Sequence, residues 1–199
     1  MTSSDRFLKR LFDLIISLAG LLVLWPIILV AIIVATFSTK AFGLFSQKRM
    51  GRFGKPFTIY KIRTMRIVHN NKTHITAAND ARITPIGGFL RKTKIDELPQ
   101  LWNVLAGTMS FVGPRPDMPE YAEKLKEQDK VILNLRPGIT GPATLEYRDE
   151  EIILAKQQDP IAYNDNVIWP HKVAINRDYF ENYSFKKDIV YIFRTITST

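Results

Sequence analysis

From Leu14 to Phe37 the sequence runs for 24 residues without a formal charge. A helix of roughly 20 apolar residues is enough to cross a hydrocarbon core. The run is too long for the hydrophobic part of a cleaved signal peptide, and no small-residue cleavage site follows it. Pro26 stands in its middle. It has no N–H for the Leu22 carbonyl and its ring crowds that turn, so a helix bends there. The arms on either side, Leu14–Trp25 and Ile27–Phe37, hold about 12 residues each and reach roughly 18 Å, short of a full crossing. Arg6, Lys9 and Arg10 precede the run, and Lys40, Lys48, Arg49, Arg52 and Lys55 follow it. Basic flanks mark the cytoplasmic side. A helix that enters, bends at Pro26 and returns keeps both flanks there. A kinked single span and a cytosolic core helix are the alternatives.

Charge is distributed as unevenly as hydrophobicity. The chain carries +9 overall, but residues 1–99 hold 16 Lys/Arg against 5 Asp/Glu, a net of +11, and residues 100–199 hold 12 against 14, a net of −2. Such a one-signed field favours nucleic acid, anionic lipid or a phosphorylated small molecule. There is no cysteine, which removes disulfide scaffolds, thiolate metal sites and thiol nucleophiles. His69, His74 and His171 are isolated from one another and make a poor histidine metal site.

Along the rest of the chain, Phe45–Arg66 reads as two extended pieces around Gly51, Gly54 and Pro56, with residues 57–62 alternating at period two. Residues 67–83 read as a polar surface loop. Helices are expected from Pro85 and from Asp96 to about Leu105, the second ended by Gly107, and a charged helix from about Met118 to Gln128. Arg136–Thr144 reads as a turn and a strand. His171–Thr199 holds two amphipathic helices. Ile175, Tyr179, Phe180 and Tyr183 share one face, and Ile189, Ile192 and Phe193 another. With Trp169, Lys186, Lys187 and Arg194 nearby these faces suit either a membrane interface or the core. The fold class is α/β, mostly α with a small β element: a membrane anchor over 1–40 broken at Pro26, and a compact domain over 41–199.

Asp96 and Glu97 are the strongest candidates for chemistry. Adjacent acids at a helix start are often structural, and Thr93 with Asp96 fits a capping box. Here, however, Arg91, Lys92 and Lys94 precede the pair. A carboxylate ionised by such neighbours can hold a divalent cation or attack phosphorus when phosphate is bound beside it. Pro114 and Pro116 frame Arg115, a stiff presentation suited to bidentate phosphate binding. Arg136 stands before Pro137 and Gly138, and Lys61 and Arg63 share one face of a strand.

These pieces together resemble the monotopic bacterial phosphoglycosyl transferases in their minimal catalytic form. The resembling parts are the proline-broken hydrophobic segment, residues 60–65 (Tyr-Lys-Ile-Arg-Thr-Met), residues 96–105 beginning Asp-Glu-Leu-Pro-Gln, residues 109–116 ending Gly-Pro-Arg-Pro, and residues 136–141 (Arg-Pro-Gly-Ile-Thr-Gly). They cover nearly the whole chain. The resemblance implies transfer of a sugar-1-phosphate from a UDP-sugar to polyprenyl (undecaprenyl) phosphate with release of UMP and with Mg²⁺ as cofactor. It implies Asp96 as nucleophile, Glu97 as metal ligand, base or positioning group, and Lys61, Arg91, Arg115 and Arg136 as phosphate-binding groups. It places the protein at the cytoplasmic face of the bacterial inner membrane, with membrane lipid but no nucleic acid as partner, and leaves a homodimer open. After Gly141 many relatives continue Trp-Ala-Gln, whereas this chain has Pro142, Ala143 and Thr144; that tract and residues 159–169 are expected to shape the donor pocket. A membrane-tethered, non-enzymatic binder of nucleic acid or anionic lipid is the rival reading. It leaves the acidic pair inside the basic patch unexplained.

Overall fold

The computed structural model describes residues 1–68 and 80–197. The chain opens with α1, Ser3–Thr39, a helix of 37 residues. Thr2 caps it: its hydroxyl accepts from the Asp5 N–H at 3.1 Å, and the Asp5 carboxylate accepts from the Thr2 N–H at 2.8 Å. Lys40, left-handed at φ 56°, ends it. The helix passes through Pro26 without interruption, whereas the sequence suggests a break. A proline costs an established helix one hydrogen bond and some crowding against the carbonyl four residues back, which a bend relieves without ending the helix.

Two arms of α1 rest on the rest of the molecule and the stretch between them does not. In the first arm, Arg10 donates to the Val104 and Leu105 carbonyls at 2.6 and 2.8 Å. Asp13 accepts from the Ser110 hydroxyl and the Phe111 N–H, both at 3.1 Å. In the second arm, Ala31 and Ala35, one turn apart, are buried against Ile62 and Leu90, and the Ser38 hydroxyl donates to that of Thr84 at 2.8 Å. In between, Leu22, Val23, Trp25, Ile27, Leu29 and Val30 are all exposed. Among the described residues α1 is the one helix long and apolar enough to cross a membrane.

β1 (Leu44–Met50) and β2 (Pro56–Ile62) form an antiparallel hairpin with Leu44 opposite Ile62 and Met50 opposite Pro56. α2 (Pro85–Lys92) starts with proline in its first turn, and the Thr84 hydroxyl accepts from the Gly87 N–H. A 3-10 turn, Ile95–Glu97, leads into α3, Gln100–Ala106, which Gly107 closes at φ 81°. β3 (Ser110–Val112) pairs in parallel with β4 (Gly138–Thr140). Between them lie α4 (Pro119–Glu123) and a 3-10 stretch, Glu127–Asn134, in place of one charged helix. The remainder is helical: α5 (Pro142–Glu146), α6 (Glu150–Ala155), α7 (Pro160–Tyr163), a π turn at Asn164–Ile168, α8 (Trp169–Glu181) and α9 (Phe185–Thr197). The architecture is thus mostly helical with two small sheets. Of the polar loop expected over 67–83, residues 69–79, with His69 and His74, lie outside the described residues.

Core packing settles the open assignment of the C-terminal aromatics. Tyr179 is 2% exposed and packs with Val112 and Leu135, joined by Phe180, Tyr183 and Ile192. Its hydroxyl donates to Asp188 Oδ1 at 2.6 Å, and Lys9 of α1 donates to Asp188 Oδ2 at 2.5 Å. Trp169 packs on Leu125, Ile132 and Val173 and donates its indole N–H to Asp117 at 3.3 Å. Tyr179, Tyr183 and Trp169 pack into the core, each with a polar partner for its polar tip. On α9, Ile189, Val190, Phe193 and Ile196 remain exposed.

Candidate active site

The acidic pair owes its position to the backbone between α2 and α3. Lys94 is left-handed at φ 58°, which turns the chain sharply after α2. Pro99 has no N–H with which to bond the Ile95 carbonyl, so that carbonyl accepts from Leu98 instead, at 3.2 Å. Asp96 and Glu97 therefore occupy a 3-10 turn ahead of α3 and not its first turn. The capping box does not form: the Thr93 hydroxyl bonds back to the Phe89 carbonyl at 2.9 Å. At three residues per turn, adjacent side chains diverge by about 120°, and the two acids have different surroundings.

Glu97 is committed. Its Oε1 accepts from Lys61 Nζ of β2 at 2.9 Å and from an Arg115 guanidinium nitrogen at 3.0 Å. Burial alone would raise this carboxyl, but Lys61, and after it Arg115, hold it well below the usual carboxylate range. Asp96 is 8% exposed, and its Oδ1 is buried with no hydrogen-bond partner among the described residues. Burial, and next the charge of Glu97, push the Asp96 carboxyl up from 3.8 to about 6, against the pull of Lys61, Arg91 and Lys94. A neighbouring anion fixed by two cations and a second carboxylate with free lone pairs, ionised at neutral pH yet poorly satisfied, is the profile of a nucleophile.

Arg115 reaches Glu97 from the loop after β3. That loop is held by the Gly113 N–H donating to the Thr140 carbonyl and the Gly138 N–H donating to the Pro114 carbonyl, at 2.9 and 2.8 Å. A Cβ on Gly113 would lie 2.3 Å from the Arg136 carbonyl oxygen, so the close approach of the two strands needs glycine there. The structure brings Lys61, Asp96, Glu97 and Arg115 together. Arg91 acts on Asp96 through its field, while its guanidinium pairs with Glu151 of α6. Arg136 is not brought to the pair. Its Nε donates to the Gly107 carbonyl at 2.9 Å, beside Arg10, and together these two guanidiniums satisfy the carbonyls left over at the end of α3. Asn103, buried inside α3, was not singled out by the sequence. It locks α3 to β2, accepting from the Tyr60 N–H at 3.1 Å and donating to the Thr58 carbonyl at 2.7 Å, which fixes Lys61 one residue away.

Among the described residues no group of three or more His, Cys, Asp or Glu side chains could hold a metal. The donor set is two carboxylates, with Asp96 Oδ1 unpartnered and Glu97 Oε2 outside both ion pairs. Mg²⁺ is commonly held by one or two carboxylates, with substrate phosphates and water completing the shell. The residues fit an ion that arrives with a diphosphate and do not form a closed protein cage.

The chain is similar to several bacterial proteins. The chain is 32% identical over 98% of its length to a UDP-glucose:undecaprenyl-phosphate glucose-1-phosphate transferase of Escherichia coli, of which it spans 41%. It is 39% identical over 78% of its length to the protein of the same name in Klebsiella pneumoniae, of which it spans 35%. It is 35% identical over 95% of its length to the uncharacterized sugar transferase EpsL of Bacillus subtilis, of which it spans 85%. The profile of the bacterial sugar transferases matches residues 4–199. The chain belongs to the bacterial sugar transferase family.

Proposed function

We propose that this protein transfers a sugar-1-phosphate from a UDP-sugar to undecaprenyl phosphate in two displacements at Asp96. In the first, an Asp96 carboxylate oxygen attacks the β-phosphorus of the donor. The bond from that phosphorus to the bridging oxygen breaks, and UMP leaves with the electron pair. In the second, a phosphate oxygen of undecaprenyl phosphate attacks the same phosphorus and the acyl phosphate bond breaks, which regenerates the carboxylate. The observation that carries this reading is the contrast within the pair: Glu97 holds two cations, and Asp96 Oδ1 has no hydrogen-bond partner among the described residues. Lys61 and Arg115 neutralise the charge that phosphoryl transfer spreads over phosphate oxygens. Mg²⁺, held by Asp96 and Glu97, would supply further neutralisation on the diphosphate.

The acceptor phosphate lies at the headgroup plane, so the pair has to be kept there. Both arms of α1 rest on one body while Leu22, Val23, Trp25, Ile27, Leu29 and Val30 stand exposed between them. This supports a re-entrant helix whose middle enters the cytoplasmic leaflet and whose ends stay on one side, with the α9 stripe of Ile189, Val190 and Phe193 against the same surface. UMP release from a panel of UDP-sugars, with undecaprenyl phosphate and Mg²⁺, tests the reaction. Release with at least one sugar is expected, and release with none contradicts it. Tags at both termini should be protected from external protease in intact cells; a single exposed tag contradicts the re-entrant helix.

A further inference from the structure

Beside the Lys61–Glu97–Arg115 cluster opens a cleft lined by Arg49, Lys61, Gln100, Arg115, Pro116 and Gly138. Arg49 comes from β1, opposite Phe57, and is half-buried. Its guanidinium donates to the neutral Gln47 Oε1 at 2.7 Å. Among the described residues no carboxylate lies within 4.0 Å of it; Asp117 and Glu120 act on it only from further away. A half-buried cation without a counter-ion is costly. The cleft compounds the imbalance, because three cations face it and the single charge of Glu97 is shared between two of them. An anion bound in the cleft offsets that imbalance.

Resting on the transfer reaction proposed above, we propose that Arg49 is a binding residue for the donor's diphosphate and holds the phosphate that leaves with the nucleoside. Lys61 and Arg115 adjoin the acidic pair and so serve the phosphate that is attacked. Arg49 bonds to neither member of the pair and is left for the other phosphate. A guanidinium offers two parallel donors to a phosphate, a geometry lysine lacks. The acceptor's phosphate has the same chemistry, and the experiment separates the two sources.

UDP binding is measured by calorimetry on the full chain in nanodiscs, together with KM for the UDP-sugar, KM for undecaprenyl phosphate and the melting temperature. The proteins are the parent, Arg49→Ala, Arg49→Lys and, as a control, Lys48→Ala, which removes an exposed charge from the next position of β1. Arg49→Ala is expected to weaken UDP binding by roughly 10–100-fold. Arg49→Lys should fall between it and the parent, and Lys48→Ala should bind as the parent does. KM for undecaprenyl phosphate should not change appreciably in any of them, and the melting temperature of Arg49→Ala should hold or rise, because no ion pair is lost and a costly half-buried charge is removed. UDP affinity within twofold of the parent in Arg49→Ala overturns the assignment. So does a rise confined to KM for undecaprenyl phosphate, which would give the cleft to the acceptor. A melting temperature that collapses in Arg49→Ala makes the residue structural unless folded Arg49→Lys still shows weakened UDP binding; parent-like affinity in Arg49→Lys then overturns the proposal. A parent that neither binds UDP nor releases UMP contradicts the transfer reaction itself, a different failure from that of Arg49.

Discussion

Replacing Asp96 by asparagine separates a chemical role from a structural one. Burial and the neighbouring Glu97 raise this carboxyl from 3.8 to about 6. At about 1.36 kcal/mol per pH unit, keeping it ionised at neutral pH costs the folded protein about 3 kcal/mol. Between pH 4 and 6, approximately, the folded protein keeps a proton that the unfolded chain has lost, so stability falls as pH rises through that window. The full cost is present above about pH 6 and absent below about pH 4. Asparagine has nearly the same shape and no charge. In nanodiscs at pH 7.5, Asp96→Asn should therefore melt several degrees above the parent, at about 2–4 °C per kcal/mol for a chain of this size. The gap should narrow to about half at pH 5. UMP release should fall to background, while in the parent kcat/KM drops about tenfold per pH unit below pH 6. A variant that melts lower at pH 7.5, or that keeps releasing UMP, refutes the reasoning.

Glu97→Gln keeps the acceptor oxygen but removes the charge that holds Lys61 and Arg115. kcat/KM should fall about 100-fold, and the acid limb of the pH profile should move to lower pH, because Glu97 is one of the two causes that raise Asp96; an unmoved limb contradicts this. Lys9→Met strands the buried Asp188 carboxylate and should cost about 3–5 kcal/mol. Thermal melting checks it: the single variant should melt about 10 °C lower, Lys9→Met with Asp188→Leu should recover part of the loss, and parent-like melting of the single variant contradicts the idea. Gly113→Ala forces the β3 and β4 loops apart at the Arg136 carbonyl. Melting should drop by about 1–3 kcal/mol, with UMP release falling further because Arg115 rides on that loop; a neutral result counts against the loop as the frame for Arg115.

Local chemistry was the part of the fold legible in the sequence. Thr84 before Pro85, Gly107 after α3 and the Gly51–Pro56 turn of the hairpin each act within a few residues, and each element stands where its signal lies. The 3-10 turn at Asp96 escaped because it depends on two signals together, a left-handed Lys94 and the missing N–H of Pro99. Partners far away in sequence were out of reach. Arg136 goes to Gly107, 29 residues off, and Arg91 to Glu151, 60 residues off. Tyr179 looked equally suited to lipid or core until Asp188 and Lys9 supplied polar partners inside. Arg49 was read only as a basic flank of the hydrophobic run, since its cleft is assembled from β1, β2, α3, the loop after β3 and the start of β4. Lys61, Asp96, Glu97 and Arg115, candidates from separate stretches of the sequence, stand together in the structure.

The most direct measurement is intact and peptide mass spectrometry of the protein quenched after mixing with a UDP-sugar in the absence of acceptor. An added sugar phosphate mapped to Asp96 is expected, discharged by undecaprenyl phosphate and absent from Asp96→Asn. An active protein that carries no adduct, or carries it on another residue, contradicts it.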